Sequence, residues 1–184
     1  MKTLNECYIS VDVETAGPNP SEYSLLSIGA CFVADSTRAF YIELQPLTAH
    51  ATTEALAVNH LSMRELAARG APPAEAMRQF DAWLAANVPA HQQPIFVAFN
   101  APFDWMFIND YFMRYLGRNP FGHTALDIKA YYMGAQRVTW AETRMREIVK
   151  RFQIDQPPLT HNALDDARDQ ARLFRHILEE THKT

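Results

Sequence analysis

Apolar and polar residues alternate along Tyr8-Ile9-Ser10-Val11-Asp12-Val13-Glu14-Thr15. In a strand this places Ile9, Val11 and Val13 on one face and Ser10, Asp12 and Glu14 on the other. A turn-rich stretch follows, Ala16-Gly17-Pro18-Asn19-Pro20-Ser21. The nearly continuous apolar run over residues 25–33 then predicts a second, buried strand, and residues 38–44 predict a third. The connection over residues 34–37 is short enough to make these two a hairpin, so the chain opens as an antiparallel meander.

From Thr52 onward the period becomes helical. Ser62 stands three residues before Glu65, the spacing of a capping box. Residues 74–87 carry Met77, Phe80, Ala82, Trp83 and Leu84 at helical spacing, and residues 103–116 carry Phe107, Ile108, Tyr111, Phe112 and Tyr115 on one side. Between them Ile95-Phe96-Val97-Ala98 is short, apolar and flanked by turn residues, as a buried central strand would be. Ala125 and Leu126 predict a last short strand before a helix that begins near Asp127, a good N-cap. Residues 139–152 are expected to continue helical, residues 154–160 with Pro157-Pro158 to form a loop, and a final helix to run from about residue 162 into the low 180s. Strands first, then helices separated by two further strands, predict an α/β fold with a mixed sheet and helices packed on it. A length of 184 residues without repeats suits one domain spanning residues 1–184.

Composition narrows the class. With 48% hydrophobic and 21% charged residues the chain is not of the disordered type. No apolar run approaches the ~20 residues of a membrane span. Met1-Lys2-Thr3-Leu4-Asn5-Glu6 lacks the apolar core of a signal peptide, which makes the cytoplasm the expected compartment. Cys7 and Cys31 are then expected as free, buried thiols, and two cysteines give no zinc set. A net charge of −4 argues against a protein that coats long nucleic acid by charge. Any grip on nucleic acid would be local, with cations neutralising phosphate. Arg137, Arg144, Arg146, Lys150 and Arg151, offset by Glu142 and Glu147, read first as a solvated helix face.

Asp12 and Glu14 lie on one strand face with Cα atoms about 6.6 Å apart. Carboxylates so placed can converge on one divalent cation, which takes hard oxygen ligands. Taken alone, the pair also reads as a wetted sheet face. In Phe99-Asn100-Ala101-Pro102-Phe103-Asp104 an apolar strand ends and a helix begins, so Asp104 falls in the first turn, where free backbone N–H groups favour a carboxylate. It would meet Asp12 and Glu14 if its strand runs parallel to the first, because ligands of open α/β sheets collect outside the carboxyl ends of strands. His161-Asn162-Ala163-Leu164-Asp165-Asp166 opens the last helix. With Leu164 at 0° and about 100° per residue, the apolar residues from Ala163 to Leu178 occupy an arc from about 180° round to that 0° position. Asp166 falls at about 200°, inside that arc, and Asp165 at about 100°, outside it. Asp166 therefore faces the protein, where it needs a partner such as a shared cation. His161, after the proline loop, is expected to be exposed and free to titrate, a bystander or a general base.

Asp12-Val13-Glu14, Asp104 within Asn-Ala-Pro-Phe-Asp, and His161 through Asp166 resemble, in order and across nearly the whole chain, the three motifs of the DnaQ-like 3′→5′ exonucleases of the DEDDh branch. The resemblance implies a ribonuclease H-like fold, a mixed five-stranded sheet flanked by helices, and two Mg²⁺ or Mn²⁺ ions. It implies that Asp12, Glu14 and Asp166 are direct ligands with Asp12 bridging both ions. Asp104 matches a ligand that often acts through water, and His161 matches the base that deprotonates the attacking water. Relatives are frequently homodimers.

The chain also departs from that pattern. Phe99 stands where many relatives carry His, and the frequent V-H-G-I-T segment reads Val58-Asn59-His60-Leu61-Ser62. Asn59 thus takes the usual His place and His60 the usual Gly place. Thr15-Ala16-Gly17 fits a floor of small residues under a terminal sugar. With Asn59, His60, Asn100 and Phe103 these are the candidate substrate contacts. Of the aromatic residues Phe103, Trp105 and Phe107, which together suit base stacking, Phe103 and Phe107 are expected in the core and Trp105 more open. The expected activity is removal of nucleoside monophosphates from single-stranded 3′ ends. RNA is favoured because a small acidic domain suits RNA trimming. DNA end processing is the nearest alternative, a binding domain without catalysis and a small-nucleotide phosphodiesterase the others.

Overall fold

The structure is a computed structural model and describes residues 6–154 and 161–181. The alternation seen first in the sequence is sorted by a five-stranded sheet whose middle strand is β1 (Glu6–Thr15). β2 (Leu25–Phe32) pairs with β1 and β3 (Ala39–Glu43) with β2, both antiparallel. On the other side β4 (Gln93–Ala98) runs parallel to β1, and β5 (Ala125–Asp127) parallel to β4. The order is β3-β2-β1-β4-β5, the mixed sheet expected.

The helices divide between the two faces. Ile9, Val11 and Val13 of β1 bury into a core with Ile28 and Phe32 of β2, under α3 (Pro73–Asn87) and α4 (Pro102–Leu116). Phe80 of α3 is at its centre, with ring centroids of Phe40 and Phe112 at 5.0 and 5.5 Å. On the opposite face Val97, Cys31 and Val33 pack against α5 (Ile128–Gln136), α6 (Met145–Phe152) and α7 (Ala163–Thr181). Two short helices, α1 (Thr53–Asn59) and α2 (Met63–Arg69), cover the carboxyl end of β1. Ser62 caps α2 as its sequence position suggested, its hydroxyl accepting from the Glu65 N–H. Cys7 and Cys31 are buried free thiols. No helix among the described residues is long and apolar enough to cross a membrane.

The helix expected without interruption over residues 139–152 is broken. After α5, Arg137 turns left-handed (φ 53°), and Thr139 with Glu142 forms a reciprocal capping box that starts a separate 3₁₀ turn, Trp140–Thr143. Arg144 is extended, and only then does α6 begin. The proline loop lies, beyond Ile154, outside the described residues. Trp105 also departs from expectation: it packs edge-on against Phe96 at 5.3 Å and belongs to the core margin.

Phe80→Ala, which removes a ring buried among four aromatic neighbours, is expected to cost about 3–5 kcal/mol in urea unfolding. A loss below about 1 kcal/mol would mean that this face of the sheet is not the core described.

Candidate functional site

The parallel ladder between β1 and β4 stops at Ser10 opposite Val97. Past that point β4 turns away at Asn100, a non-glycine residue held at φ 68°. Asp127 holds this turn. Its Oδ1 accepts from the N–H groups of Asn100 and Ala101 at 2.9 and 3.2 Å, and the same carboxylate caps α5. Asp104, in the first turn of α4, then reaches back to β1, where its Oδ1 accepts from the Val13 N–H at 3.1 Å. That donor lies beyond the last paired residue, so the strand offers it to a side chain. The parallel orientation on which the meeting of Asp104 with β1 depended is thus present.

The other half of the site comes with α7. Gly29 of β2 sits directly opposite Asp12. A Cβ on Gly29 would lie 2.1–2.3 Å from the backbone of Ala163 and Leu164, so the start of α7 rests on bare strand backbone. Asn162 orders that start, its Oδ1 accepting from the Leu164 and Asp165 N–H groups at 3.1 and 3.3 Å. The helical wheel resolved the two aspartates correctly. Asp166 is 5% exposed and turned inward, whereas Asp165 is exposed beside Arg168 at 3.4 Å. One turn on, Gln170 accepts from the Phe99 N–H at 2.9 Å and donates to Asp12 Oδ1. Gly29 and Gln170 lie outside the three motifs. A glycine inside an apolar strand is a signal of close backbone approach, and Gln170 stands at the helical i+4 position from Asp166.

Glu14, His161 and Asp166 each bring a potential ligand atom to within 4.8 Å of the others. His161, expected on an exposed loop, is half-buried and held at φ 54°. Asp12 is raised well above the ordinary carboxylate range, first by burial and then by repulsion from Asp104, Glu14 and Asp166, with the Gln170 hydrogen bond opposing. Burial, then Asp166 and Asp104, push Glu14 up to about 8. Burial raises Asp104 too, against the Val13 N–H that favours its ionised form. Hard oxygen donors that repel one another beside an imidazole fit a divalent cation, whose charge removes the cause of the repulsion.

Beside Glu14 opens a cavity of about 460 Å³ lined by β1, α1 and Phe103. Of the candidate substrate contacts, Thr15, Gly17, Asn59 and Phe103 line it. Asn59 is buried and already committed, donating to the Thr15 carbonyl at 3.0 Å and accepting from the Leu61 N–H at 3.0 Å. It anchors the floor that Thr15 begins. Ala16 is fully buried beneath that floor, and His60 is an exposed left-handed C-cap of α1, which explains why a Gly would suit its position. Asn100 is exposed at the β4–α4 turn and does not line the cavity.

Solved structures share this architecture. The nuclease domain of 3′hExo, described as a DEDDh family member bound to rAMP, superposes with a TM-score of 0.78 at 13% identity, over 98% of this chain and 95% of that one. E. coli exonuclease I in complex with a dT13 oligonucleotide gives 0.74 at 15% identity, over 97% of this chain and 42% of that one. S. pombe Pop2p in its Mg²⁺- and Mn²⁺-bound form gives 0.61 at 14% identity, over 92% and 82% of the two chains. These define the fold as that of the DEDDh, ribonuclease H-like exonucleases. In sequence, the 3′-5′ DNA exonuclease Cap18 of Escherichia coli is 46% identical over 179 residues, 96% of this chain and 94% of that protein. Residues 7–178 match the 3′-5′ exoribonuclease Rv2179c-like domain; the chain belongs to that family and is a 3′-5′ exonuclease.

Two outcomes test the site's construction. Gly29→Ala is expected to lift the start of α7, costing about 1–3 kcal/mol and erasing any gain in melting temperature from added Mn²⁺. Unchanged Mn²⁺ protection would show that α7 does not need that seat. The second concerns pH. Below the ordinary value of 4.5 both folded and unfolded chains keep the Glu14 proton; as pH rises toward about 8 the unfolded chain releases it first, so the folded state loses stability across that window. Chelator-treated protein should therefore melt lower at about pH 8 than at about pH 5. Asp166→Asn, which removes the largest repulsion on Glu14, should reduce that fall, by about 2–4 °C for each kcal/mol of repulsion removed. A flat profile for the unsubstituted chain would contradict the electrostatics described.

Proposed function

We propose that this 3′-5′ exonuclease is metal-dependent, acts on single-stranded DNA ends, and releases nucleoside 5′-monophosphates with His161 as general base. The observation that carries the reading is the meeting of Asp12, Glu14, Asp104, Asp166 and His161 beside a cavity of nucleotide size. Asp12, Glu14 and Asp166 would hold a pair of Mg²⁺ or Mn²⁺ ions, with Asp104 completing the set. Such ions, when bound, lower the pKa of water and neutralise charge on a transferring phosphoryl group.

The remaining work falls to the chain. The cavity bounded by Thr15, Gly17, Asn59 and Phe103 receives the terminal nucleotide, Phe103 offering a ring to its base and the pinned Thr15–Gly17 backbone a floor to its sugar. That seat leaves the terminal phosphodiester at Glu14. Water attacks phosphorus; its oxygen forms the new P–O bond as the bond to the 3′ oxygen of the shortened strand breaks. An imidazole nitrogen of His161, near the Glu14 and Asp166 carboxylates, takes the water's proton, and the leaving 3′ oxygen takes a proton from a solvent water.

DNA is put forward because the relative at 46% identity across almost the whole chain is a DNA exonuclease by name. The description of the family supports RNA, the substrate favoured from sequence, as the second reading. Matched single-stranded DNA and RNA oligomers, labelled at the 5′ end, separate the two. Stepwise shortening of DNA faster than RNA is expected, abolished by EDTA and restored by Mn²⁺. Faster RNA shortening would reverse the assignment. Asp12→Ala should abolish cleavage, and His161→Ala should lower kcat by about 10²–10⁴-fold. Full activity in His161→Ala would remove the base from the mechanism.

A further inference from the structure

We propose that Gln170 is a positioning residue for the metal centre, holding the Asp12 carboxylate in the orientation that receives a divalent cation. This rests on the metal-dependent reading above. Gln170 is buried, and both ends of its amide are engaged: Oε1 accepts from the Phe99 N–H at 2.9 Å and Nε2 donates to Asp12 Oδ1. The Phe99 N–H fixes the amide without ambiguity, since a backbone N–H only donates: the oxygen must face it, which leaves the NH₂ for Asp12.

The three groups so joined come from three elements. Asp12 is on β1, Phe99 follows the end of β4 just where the two strands part, and Gln170 is on α7. The i+4 spacing puts Gln170 one turn below Asp166 on the same inward face, so a single helix delivers an acid and the orienter of the acid opposite. An amide also suits the place chemically. It orients a carboxylate by hydrogen bonding while adding no cation that would compete with a metal ion, and each carboxylate oxygen keeps lone pairs for a ligand bond. Groups that orient metal ligands in this manner change metal affinity by about 10–100-fold when removed.

The test compares the full chain with Q170L and Q170M, Met keeping the length of the side chain without its polar atoms. Mn²⁺ binding is read by electron paramagnetic resonance of the free ion, alongside kcat, KM for a single-stranded oligomer, and metal-free melting temperature. Both variants are expected to bind Mn²⁺ about 10–100-fold more weakly, with kcat reduced at limiting Mn²⁺ and recovering at high Mn²⁺. KM for the oligomer should stay within about twofold, a split that lost packing alone would not produce. Wild-type Mn²⁺ affinity and kcat in either folded variant, even with a lowered melting temperature, overturns the assignment. So does failure of both to fold, which would make the amide a structural strut. If the unsubstituted chain itself binds no Mn²⁺, the metal-dependent reading falls first and this one with it.

Discussion

The contact between the start of α7 and Gly29 is the constraint from which the site follows. Strand and helix backbones meet there with no side chain between them. Any residue larger than glycine would hold α7 off the sheet and carry His161, Asp166 and Gln170 away together. Because Gly29 is the cross-strand partner of Asp12, the closest approach falls beside the middle acid of the cluster. The opposite face of the sheet has no such restriction. There the aromatic layer of α3 and α4 provides the burial that covers β1 in the middle of the sheet.

Against that framework the acids work in opposition to folding. Asp12, Glu14 and Asp104 are all driven toward protonation by burial, and Asp12 and Glu14 also by their acidic neighbours. Hydrogen bonds oppose this, from the backbone N–H groups of Asp104 and Val13 to the Asp104 carboxylate and from Gln170 to Asp12, and all favour the ionised form. The fold thus holds the carboxylates close before any ion arrives. The cost falls on the stability of the metal-free protein, as is common for sites arranged for function.

Much of this was legible in the chain, for reasons that can be named. Alternation around Asp12 and the helical wheel around Asp166 depend on local period alone, so the strand face and the inward aspartate could be read directly. The break between α5 and α6 could not be, because periodicity does not register a left-handed Arg137 or the reciprocal bonds of Thr139 and Glu142. Trp105 looked open on its helix but is covered by Phe96, sequence-distant until β4 docks. Gln170 and Gly29 escaped notice for the same reason: each matters through a partner more than a hundred residues away in the chain. The family motifs supplied the five residues proposed for the chemistry. Their helpers came only with coordinates.

The parting of β1 and β4 beyond Ser10 and Val97 has one more consequence. Two parallel strands that stayed zipped for another pair of residues would satisfy the Val13 N–H with a carbonyl and leave Asp104 no place to dock. The fork is a deliberate shortfall of sheet: where main-chain pairing gives out, side-chain chemistry takes over the unspent donors. The length of one ladder therefore decides where Asp104 docks, with no change to any acid in the sequence.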